Sequence, residues 1–535
     1  MQGQRQFIDI PDTGGEGSGW KSRLGNGLAF CVAVGLVTYW GYHYYIDKYR
    51  PFDDRLVYKV VDHDDSEPKK PYLPDISGFT VGMIAAKVPS YQKGQVAFAR
   101  MEDYPEFSKF MEGDVPKRLR LLQRRVYPRG LVVKSGHYDW AHFYNEVHAF
   151  DPDGKLIRKE GDVYTLRAPL LVAPGASLSI DAGKLRLSKQ ANAYLLNAGD
   201  MFIMRTAVIG WDEEKNAPTK YTGDKHDYRP FVTTWGGGGL YIAGSHFESL
   251  GYLKGKSYGI SYSTCVKCLK DHPDIPPPTG VVVGSSFTDM YYGFYSYEAE
   301  DVAIVGNTYY DNVIYAIDPH DRSRRLIIAG NETYGTHKKH GIIVSREVND
   351  SWIFNNYTHH NHGSGIMIDR TSVNNVIADN VSEHNEQDGI TLFESEHTTT
   401  WGNKISHNKR SGIRIRNSWN VHLYHDEILN NDGVAVEVYV ADITGQETRD
   451  FELDPYTQRA DAYIEGAKIS SSGSALFKMQ GPVDKMSFSN IDLRMGTHLF
   501  PVSYVYDETG MLGAMSDPVK VLDVRMKTAP GAFWD

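Results

Sequence analysis

A histidine between two aspartates is the clearest catalytic signal in this sequence. The run DPHD places His320 beside Asp321 and two residues after Asp318. Histidine titrates in the useful range for proton transfer, and a neighbouring carboxylate can fix its tautomer and raise its basicity. Downstream, Arg346 and Arg370 each lie five residues after a glycine in two similar segments. A base and an arginine together suit removal of a proton from a carbon beside a carboxylate, because the guanidinium neutralises the negative charge that builds up.

Five similar segments supply the framework for these residues. They begin at glycines spaced 24, 24, 23 and 21 residues apart. The segments are GIIVSR from Gly341, GIMIDR from Gly365, GITLFE from Gly389, GIRIRN from Gly412 and GVAVEV from Gly433. In each, the first and third residues after the glycine are apolar, which predicts a half-buried strand. A repeat of this length with strand periodicity predicts an all-β fold, namely a right-handed parallel β-helix.

The stacking of such coils determines which side chains meet. Equivalent residues of successive coils lie about 4.8 Å apart, so a column of exposed side chains forms a linear groove for a chain-like ligand. Aligning Tyr315 with the repeat glycines predicts that His320 shares a column with Arg346 and Arg370. Strict alternation would bury that column, and a buried unpaired arginine is costly, so we expect each strand to end just before it.

The charge distribution favours an anionic polymer as ligand. The chain has 57 basic and 67 acidic residues and a net charge of −10, which argues against general nucleic-acid binding. Two windows oppose this acidity, with +3 over residues 318–346 and +5 over residues 402–425. A basic strip suits a uronic acid polymer, and it predicts Arg322, Arg414 and Arg416 as substrate contacts. The alternative is a solvated face whose counter-charges lie elsewhere on the surface.

The residues around the DPHD run carry a family resemblance. The run YAIDPHDRSRRLIIAGN, followed by HGIIVSREVNDS, resembles the periplasmic mannuronan C5-epimerases of alginate-producing bacteria. The resemblance covers most of residues 160–500. It implies a right-handed β-helix that converts β-D-mannuronate into α-L-guluronate within polymannuronate. It also implies no calcium requirement, and we expect no cofactor.

The same resemblance assigns roles to individual residues. It implies that His320 is the base and Arg346 the group that neutralises the carboxylate, with Asp318 and Asp321 completing the signature and a water as proton donor. From the residues alone, Tyr315 is the other candidate donor. The predicted substrate contacts are completed by Arg370, Asn361, His362 and Asp369.

Three other interpretations of these residues stay open. The DPHD aspartates and histidine could bind a metal together with the run His359-His360-x-His362, although spacing alone fixes no ligand geometry. A lyase would use the same proton abstraction and then eliminate the 4-O bond. A non-enzymatic scaffold that guides polysaccharide would need the basic strip but no histidine.

The sequence divides into five regions. We predict a leader over residues 1–25, a signal anchor over 26–46, a linker and N-terminal cap over 47–160, the β-helix over 161–500 and a C-terminal tail over 501–535. The apolar anchor predicts a periplasmic protein that is tethered to the inner membrane if the segment is retained. The expected partners are the polymannuronate chain and a periplasmic alginate export complex. Cys265 and Cys268 suit either a local disulfide or two reduced thiols.

Overall fold

The described part of the chain forms a parallel β-helix. The computed structural model describes residues 56–63, 68–264, 274–445, 449–452, 454–473, 475–494, 498–501 and 508–526. Three short strands make up each coil, and the strands of successive coils stack in parallel to form three faces, named A, B and C in the order in which the chain passes through them.

Face A carries the segments that begin with the repeat glycines. The strands from residue 342 onward pair in an unshifted register, for example Ile342 with Ile366 and Ile366 with Ile390. The earlier pair Gly259–Ser263 and Tyr292–Tyr297 contains a register shift between Gly259 and Ser261. The strands of face A are Leu170–Val172, Leu195–Asn197, Val232–Thr234, Gly259–Ser263, Tyr292–Tyr297, Tyr315–His320, Ile342–Ser345, Ile366–Asp369, Ile390–Phe393, Ile413–Arg416, Val436–Tyr439 and Phe477–Gln480.

Faces B and C complete each coil. The strands of face B are Ser177–Ile180, Asp200–Met204, Gly239–Ala243, Thr279–Val283, Val302–Val305, Ile327–Ala329, Trp352–Phe354, Val376–Ala378, Thr399–Trp401, Val421–Tyr424, Asp461–Glu465 and Lys485–Ser489. The strands of face C are Val163–Leu166, Lys184–Ser188, Ala207–Asp212, His246–Glu248, Ser286–Thr288, Thr308–Tyr310, Glu332–Tyr334, Tyr357–His359, Val381–Glu383, Lys404–Ser406, Glu427–Asn431, Lys468–Ser471 and Asp492–Leu493. Ile157–Glu160 pairs with the first of them and Ala217–Pro218 with Ala207–Asp212, both antiparallel.

The core follows the alternation seen in the sequence. Ile342, Val344, Ile366 and Ile368 are fully buried inside the coil, as are the equivalent residues of the later segments. Burying these side chains removes apolar surface from water at about 25 cal/mol per Å², and every coil repeats the gain against its neighbours. The predicted inward positions are confirmed for the segments from Gly341, Gly365, Gly389 and Gly412. In the segment from Gly433 they are wrong by two residues, because Val434 is partly exposed and the core positions are Val436 and Val438.

Buried asparagines hold the coils together at one corner. The row runs through Asn307, Asn331, Asn356, Asn380 and Asn403 and ends at Asp426. From Asn331 onward, each amide Oδ1 accepts hydrogen bonds from the backbone N–H and the side-chain Nδ2 of the asparagine in the preceding coil. A full set of partners removes the cost of burying polar amides.

Both ends of the β-helix carry additional elements. Gln92–Arg100 pairs antiparallel with Arg129–Asp139, and Lys520–Met526 pairs antiparallel with Lys485–Ser489 and with Leu56–Asp62. The helices among the described residues are Val81–Lys87, which packs on face B, and Val115–Gln123, Trp140–Phe150 and Glu508–Met515, with 3-10 turns at Met101–Asp103 and Pro105–Met111.

Some predicted boundaries differ from the structure or lie outside it. Parallel pairing already begins with the strand Arg129–Asp139, which pairs with Leu170–Val172, and so precedes the predicted start at residue 161. The predicted anchor over 26–46 and the Cys265 and Cys268 pair lie outside the described residues. No helix among the described residues is long and apolar enough to span a membrane.

Candidate active site on face A

One carboxylate joins the predicted base to the predicted cation. Asp321 Oδ2 lies 2.5 Å from His320 Nδ1, and Asp321 Oδ1 lies 3.2 Å from Arg346 Nη1. The shared carboxylate therefore orients both the imidazole and the guanidinium. Burial alone would raise the pKa of Asp321, but the hydrogen bond from His320 and the charge of Arg346 lower it. The His320 side chain is 24% exposed, and its Nε2 has no hydrogen-bond partner among the described residues.

The alignment of the coils differs by one residue from the predicted column. His320 ends its strand and pairs with Ser345, whereas Arg346 follows the end of the next strand. The predicted end of the strand before Arg346 is confirmed. The shared column with His320 is wrong, because the chain stays extended through that residue and turns only at Asp321, where φ is +42°. Asp321, Arg346 and Arg370 are the residues that occupy equivalent positions in three successive coils.

Asp318 is the buried carboxyl group of this site. It is 2% exposed, and its Oδ1 has no hydrogen-bond partner among the described residues. Burial raises the pKa of Asp318 to about 7; the charge of Asp321 adds to the shift, and His320 and Lys256 oppose it. A carboxyl group with such a pKa can hold or release a proton at neutral pH beside the imidazole.

Lys256 is a cation of the site that the sequence analysis missed. Its Nζ donates to Tyr295 Oη at 3.0 Å and lies 3.3 Å from the centre of the Tyr297 ring. Burial lowers the pKa of Lys256 to about 8, although the nearby carboxylates oppose this shift. The Tyr295 ring in turn stacks beside the His320 imidazole, with 6.0 Å between their centres. The available signal was the position of Lys256 three residues before Gly259, at the entry to an earlier copy of the repeat.

Tyr315 begins the strand that carries the DPHD run. Its ring contacts the rings of Tyr292 and His340, with centres 5.2 and 6.0 Å away. Burial raises the pKa of Tyr315, and the charges of Asp318 and Asp369 raise it further. The hydroxyl therefore stays protonated at neutral pH and can act as a donor.

His340 is a second residue that the sequence analysis missed. Its Nδ1 accepts a hydrogen bond from the backbone N–H of Ser364 at 2.9 Å. Burial lowers the pKa of His340 to about 3, so the imidazole is neutral at physiological pH and carries its proton on Nε2. The signal was its place directly before Gly341, one coil beyond Tyr315.

Asp369 and Arg370 continue the surface into the coil after Arg346. Burial raises the pKa of Asp369 to about 6, and Ser345 Oγ donates to its Oδ2 at 3.4 Å. Arg370 Nε lies 3.7 Å from Asp369 Oδ2, and its Nη1 lies 3.7 Å from Asp454 Oδ2. Both residues thus lie at the outer surface of face A.

The first basic window has counter-charges that the window itself did not contain. Arg322 Nη2 lies 2.5 Å from Glu298 Oε1 and donates to Tyr297 Oη at 3.0 Å. Arg325 is paired with Glu300 and Asp301. These acids belong to the preceding coil, about one repeat earlier in sequence than the arginines but directly beside them in space.

The second basic window is paired as well. Arg414 Nε lies 3.0 Å from Glu437 Oε2, and Arg416 Nη2 lies 2.6 Å from Glu394 Oε1. Glu394 is also bound by Arg449, a buried arginine, so Arg416 belongs to a closed ionic cluster. The two windows are therefore not bare cationic surfaces, which supports the alternative of a face with counter-charges nearby.

Two predicted substrate contacts, Asn361 and His362, are already bound to other side chains of the protein. Asn361 is fully buried, and its amide bonds to Thr333 and Asn385 in a second asparagine row. Its assignment as a substrate contact was wrong, because the position serves the packing of the coils. His362 is exposed and pairs with Glu386 at 2.7 Å, at the corner where the chain enters face A.

The histidine run does not meet the DPHD run, so the metal site proposed from both is wrong. His359 lies on face C, where its Nε2 is 3.2 Å from Glu332. The ring of His360 stacks on His384 of the next coil, 5.2 Å away. The DPHD run belongs to face A, on a different side of the coil.

Fold and site together define a right-handed parallel β-helix protein with a candidate acid–base site on face A. Residues 292–444 match the family described as right handed beta helix region, which agrees with the predicted winding. The chain is 40% identical to the mannuronan C5-epimerase of Pseudomonas putida over 468 residues, which cover 86% of this chain and 87% of that protein. It is 40% identical to mannuronan C5-epimerase AlgG of Azotobacter vinelandii over 415 residues, 77% of this chain and 78% of that protein.

A solved structure gives the same result. The crystal structure of the periplasmic alginate epimerase AlgG superposes with a TM-score of 0.74 at 36% identity, covering 80% of this chain and 100% of that one. The chain belongs to the mannuronan C5-epimerase family, and it is an isomerase.

Proposed function

We propose that this protein epimerises β-D-mannuronate to α-L-guluronate at C5 within polymannuronate. The observation that carries this proposal is the Asp321 carboxylate, which holds His320 through Nδ1 and Arg346 through Nη1. A base and a carboxylate-binding cation are thereby fixed in one unit. The names of the relatives give the substrate class, because they act as mannuronan or alginate epimerases.

The reaction begins with the proton on C5, which lies next to the C6 carboxylate. With Nδ1–H donated to Asp321, the lone pair of His320 is on Nε2, and this atom takes the C5 proton. The electrons left on C5 delocalise into the carboxylate, which then carries additional negative charge. Arg346 stabilises that charge through a bidentate contact with the carboxylate oxygens, an effect worth several kcal/mol in the barrier.

Inversion is complete when a proton reaches C5 from the opposite side. Tyr315 suits this step, because its raised pKa keeps the hydroxyl protonated until a strong base forms. A water is the other donor. Asp318 would hold a proton between turnovers. Because its pKa is about 7, its carboxyl group can exchange a proton with the His320 imidazole at neutral pH.

The polymer would lie along face A. Four residues follow His320 at equivalent positions of successive coils, namely Ser345, Asp369, Phe393 and Arg416. This column is about 19 Å long along the axis, which is long enough for several sugar units. Asp369 and Arg370 are the nearest further contacts, whereas Arg322, Arg414 and Arg416 would have to exchange an existing carboxylate partner for a sugar carboxylate.

Proton NMR of polymannuronate incubated with the protein in deuterated water tests the proposal. An epimerase incorporates deuterium at C5, raises the guluronate content and keeps the chain length. A lyase instead breaks the C4–O bond, shortens the chain and creates an unsaturated sugar that absorbs in the ultraviolet. His320→Asn should abolish exchange while polymer binding persists. A scaffold without activity would show no exchange with either protein.

The location of the protein is part of the proposal. The relative of known structure is described as periplasmic, and the segment 26–46 would hold this chain at the inner membrane. Such a position would suit contact with an alginate export complex. Membrane fractionation of cells, with and without residues 1–46, tests the tether, because a retained anchor should keep the full-length chain in the membrane fraction.

A further inference from the structure

A column of histidines lies at the corner that follows face C. Strand pairing on that face aligns one residue from each of four successive coils: Tyr334, His359, Glu383 and Ser406. The residues directly after the last three are His360, His384 and His407, which therefore stack in consecutive coils. Their ring centres are 5.2 and 5.1 Å apart, close to the spacing of the coils themselves.

These histidines stand where the backbone is left-handed. Their φ angles are +52°, +56° and +56°, a region in which glycine, asparagine and aspartate are favoured. The equivalent residues of the flanking coils are Gly335 and Asn430, which satisfy that preference. Folding therefore does not require histidine at this corner.

Glu383 adds a carboxylate to the column. One ligand atom from each of Glu383, His384 and His407 lies within 4.8 Å of the others. Tetrahedral coordination with metal–nitrogen bonds of about 2.0–2.1 Å places ligand atoms about 3.3 Å apart, so small side-chain rotations bring these three atoms to a common centre. Tyr357 Oη donates to Glu383 Oε1 at 2.6 Å and orients the carboxylate, as outer hydrogen bonds do at metal sites.

The imidazoles are suited to bind a cation. His384 and His407 are exposed, so an ion can reach them from solvent. A neutral imidazole keeps a proton on one ring nitrogen and offers the other nitrogen as a metal ligand.

We propose that Glu383, His384 and His407 bind one divalent transition-metal ion of the zinc type. Two imidazoles and one carboxylate form a donor set that zinc accepts, and His360 or a water completes four ligands. Hard ions such as Ca²⁺ prefer six or more oxygen ligands, which this corner does not provide. The site is on face C and its corner, apart from His320 on face A, and it does not depend on the proposed reaction.

Bound metal would link neighbouring coils. Glu383 and His384 belong to one coil and His407 to the next, so an ion would add a bond across an interface between repeats. In a solenoid, stability is the sum of repeat and nearest-neighbour terms, and this bond adds to the latter. We expect Zn²⁺ to raise the midpoint of thermal unfolding, because it binds the folded chain.

The experiment uses the full chain after chelator treatment and dialysis. Isothermal titration with Zn²⁺ should show one equivalent bound with a Kd below about 10 μM, and Co²⁺ should give the intense visible absorption of a tetrahedral centre. The double variant His384→Asn with His407→Asn keeps residues that accept a left-handed backbone but removes both imidazoles. It should bind Zn²⁺ at least tenfold more weakly and lose the thermal shift.

His425→Asn is the matched control. His425 is likewise exposed and left-handed, with φ of +56°, but its ring meets the Trp401 ring edge-on, and its column holds no second histidine among the described residues. This variant should bind Zn²⁺ as the parent does. Equal Zn²⁺ affinity in the parent and the double variant, or no binding by the parent at 100 μM, overturns the proposal.

Discussion

Asp318 and Asp321 stand three residues apart, and their carboxyl groups have pKa values shifted in opposite directions. Burial raises the pKa of Asp318 to about 7, and its Oδ1 has no hydrogen-bond partner among the described residues. The pKa of Asp321 is lowered despite burial, because His320 and Arg346 occupy its oxygens. Two carboxyl groups that flank His320 in sequence thus differ in their affinity for a proton. In the proposed reaction the first would hold a proton and the second would orient the imidazole.

Asp318→Asn should change the pH dependence of stability. The folded state raises the pKa of Asp318 above its unfolded value of 3.8, so the folded state binds the proton more tightly. Stability from this group is present at low pH and is lost as the pH rises towards 7 and above. The variant has no carboxylate to bury, so its melting temperature should exceed that of the parent at pH 8.5 and approach it at pH 4.5. An equal difference at both pH values, measured by differential scanning calorimetry, would contradict the raised pKa.

Asp321→Asn should impair turnover more than binding. The amide cannot compensate the imidazolium that forms when His320 takes a proton, and it weakens the hold on Arg346. We expect kcat to fall about 10²–10⁴-fold with a much smaller change in KM, measured as deuterium incorporation at C5. Asp301→Asn is the control, since it breaks a similar ion pair with Arg325 away from the site. A loss of equal size in the control would show a general structural effect.

The fold could be predicted because every coil repeats the same physical constraint. Apolar residues one and three positions after Gly341 must face the core, and the same holds at Gly365, Gly389 and Gly412. After Gly433 the core positions, Val436 and Val438, come two residues later, because Ala435 takes the place of the repeat glycine. A single period then determines the parallel stacking of all the later coils. The start of the β-helix was harder to predict, because the repeat is absent there. The parallel strand from Arg129 was missed for this reason.

The site was predictable in composition but not in detail. The DPHD run and Arg346 were found from residue type and spacing, yet the register slipped by one residue, because this coil lacks the repeat glycine and Pro319 disturbs the pattern. The preference of aspartate for a left-handed backbone was the signal for a turn at Asp321. Lys256 was missed because it precedes a strand two coils before that of His320, with a long insertion between them in sequence. Counter-charges such as Glu298 were missed because neighbours in space are a full coil apart in sequence.

Asn380→Ala should destabilise the β-helix markedly. The Asn380 amide donates to Ile353 O at 2.8 Å and to Asn403 Oδ1 at 2.9 Å, and its Oδ1 accepts two hydrogen bonds from Asn356. Alanine leaves buried partners unsatisfied, which costs about 1–3 kcal/mol for each group. The urea midpoint should fall clearly.

Gln458→Ala provides the comparison for the asparagine row. Gln458 is exposed and makes one hydrogen bond, to Tyr456 Oη at 2.9 Å. Its loss should change the free energy of unfolding by less than about 0.5 kcal/mol. A similar midpoint for both variants would mean that the buried row contributes no more than a surface contact.

Lys256→Arg should move the alkaline limit of activity upward. Burial lowers the pKa of Lys256 to about 8, so the parent loses this positive charge beside Asp318 and Asp321 as the pH rises above 8. If the cation assists binding of the sugar carboxylate, kcat/KM declines in the same range. Arginine stays charged, so the decline should begin at higher pH, whereas Lys256→Met should lower kcat/KM at every pH. Lys254→Met, which removes an exposed lysine two residues away, should leave the profile unchanged. An identical alkaline limit in the parent and the arginine variant would remove Lys256 from the reaction.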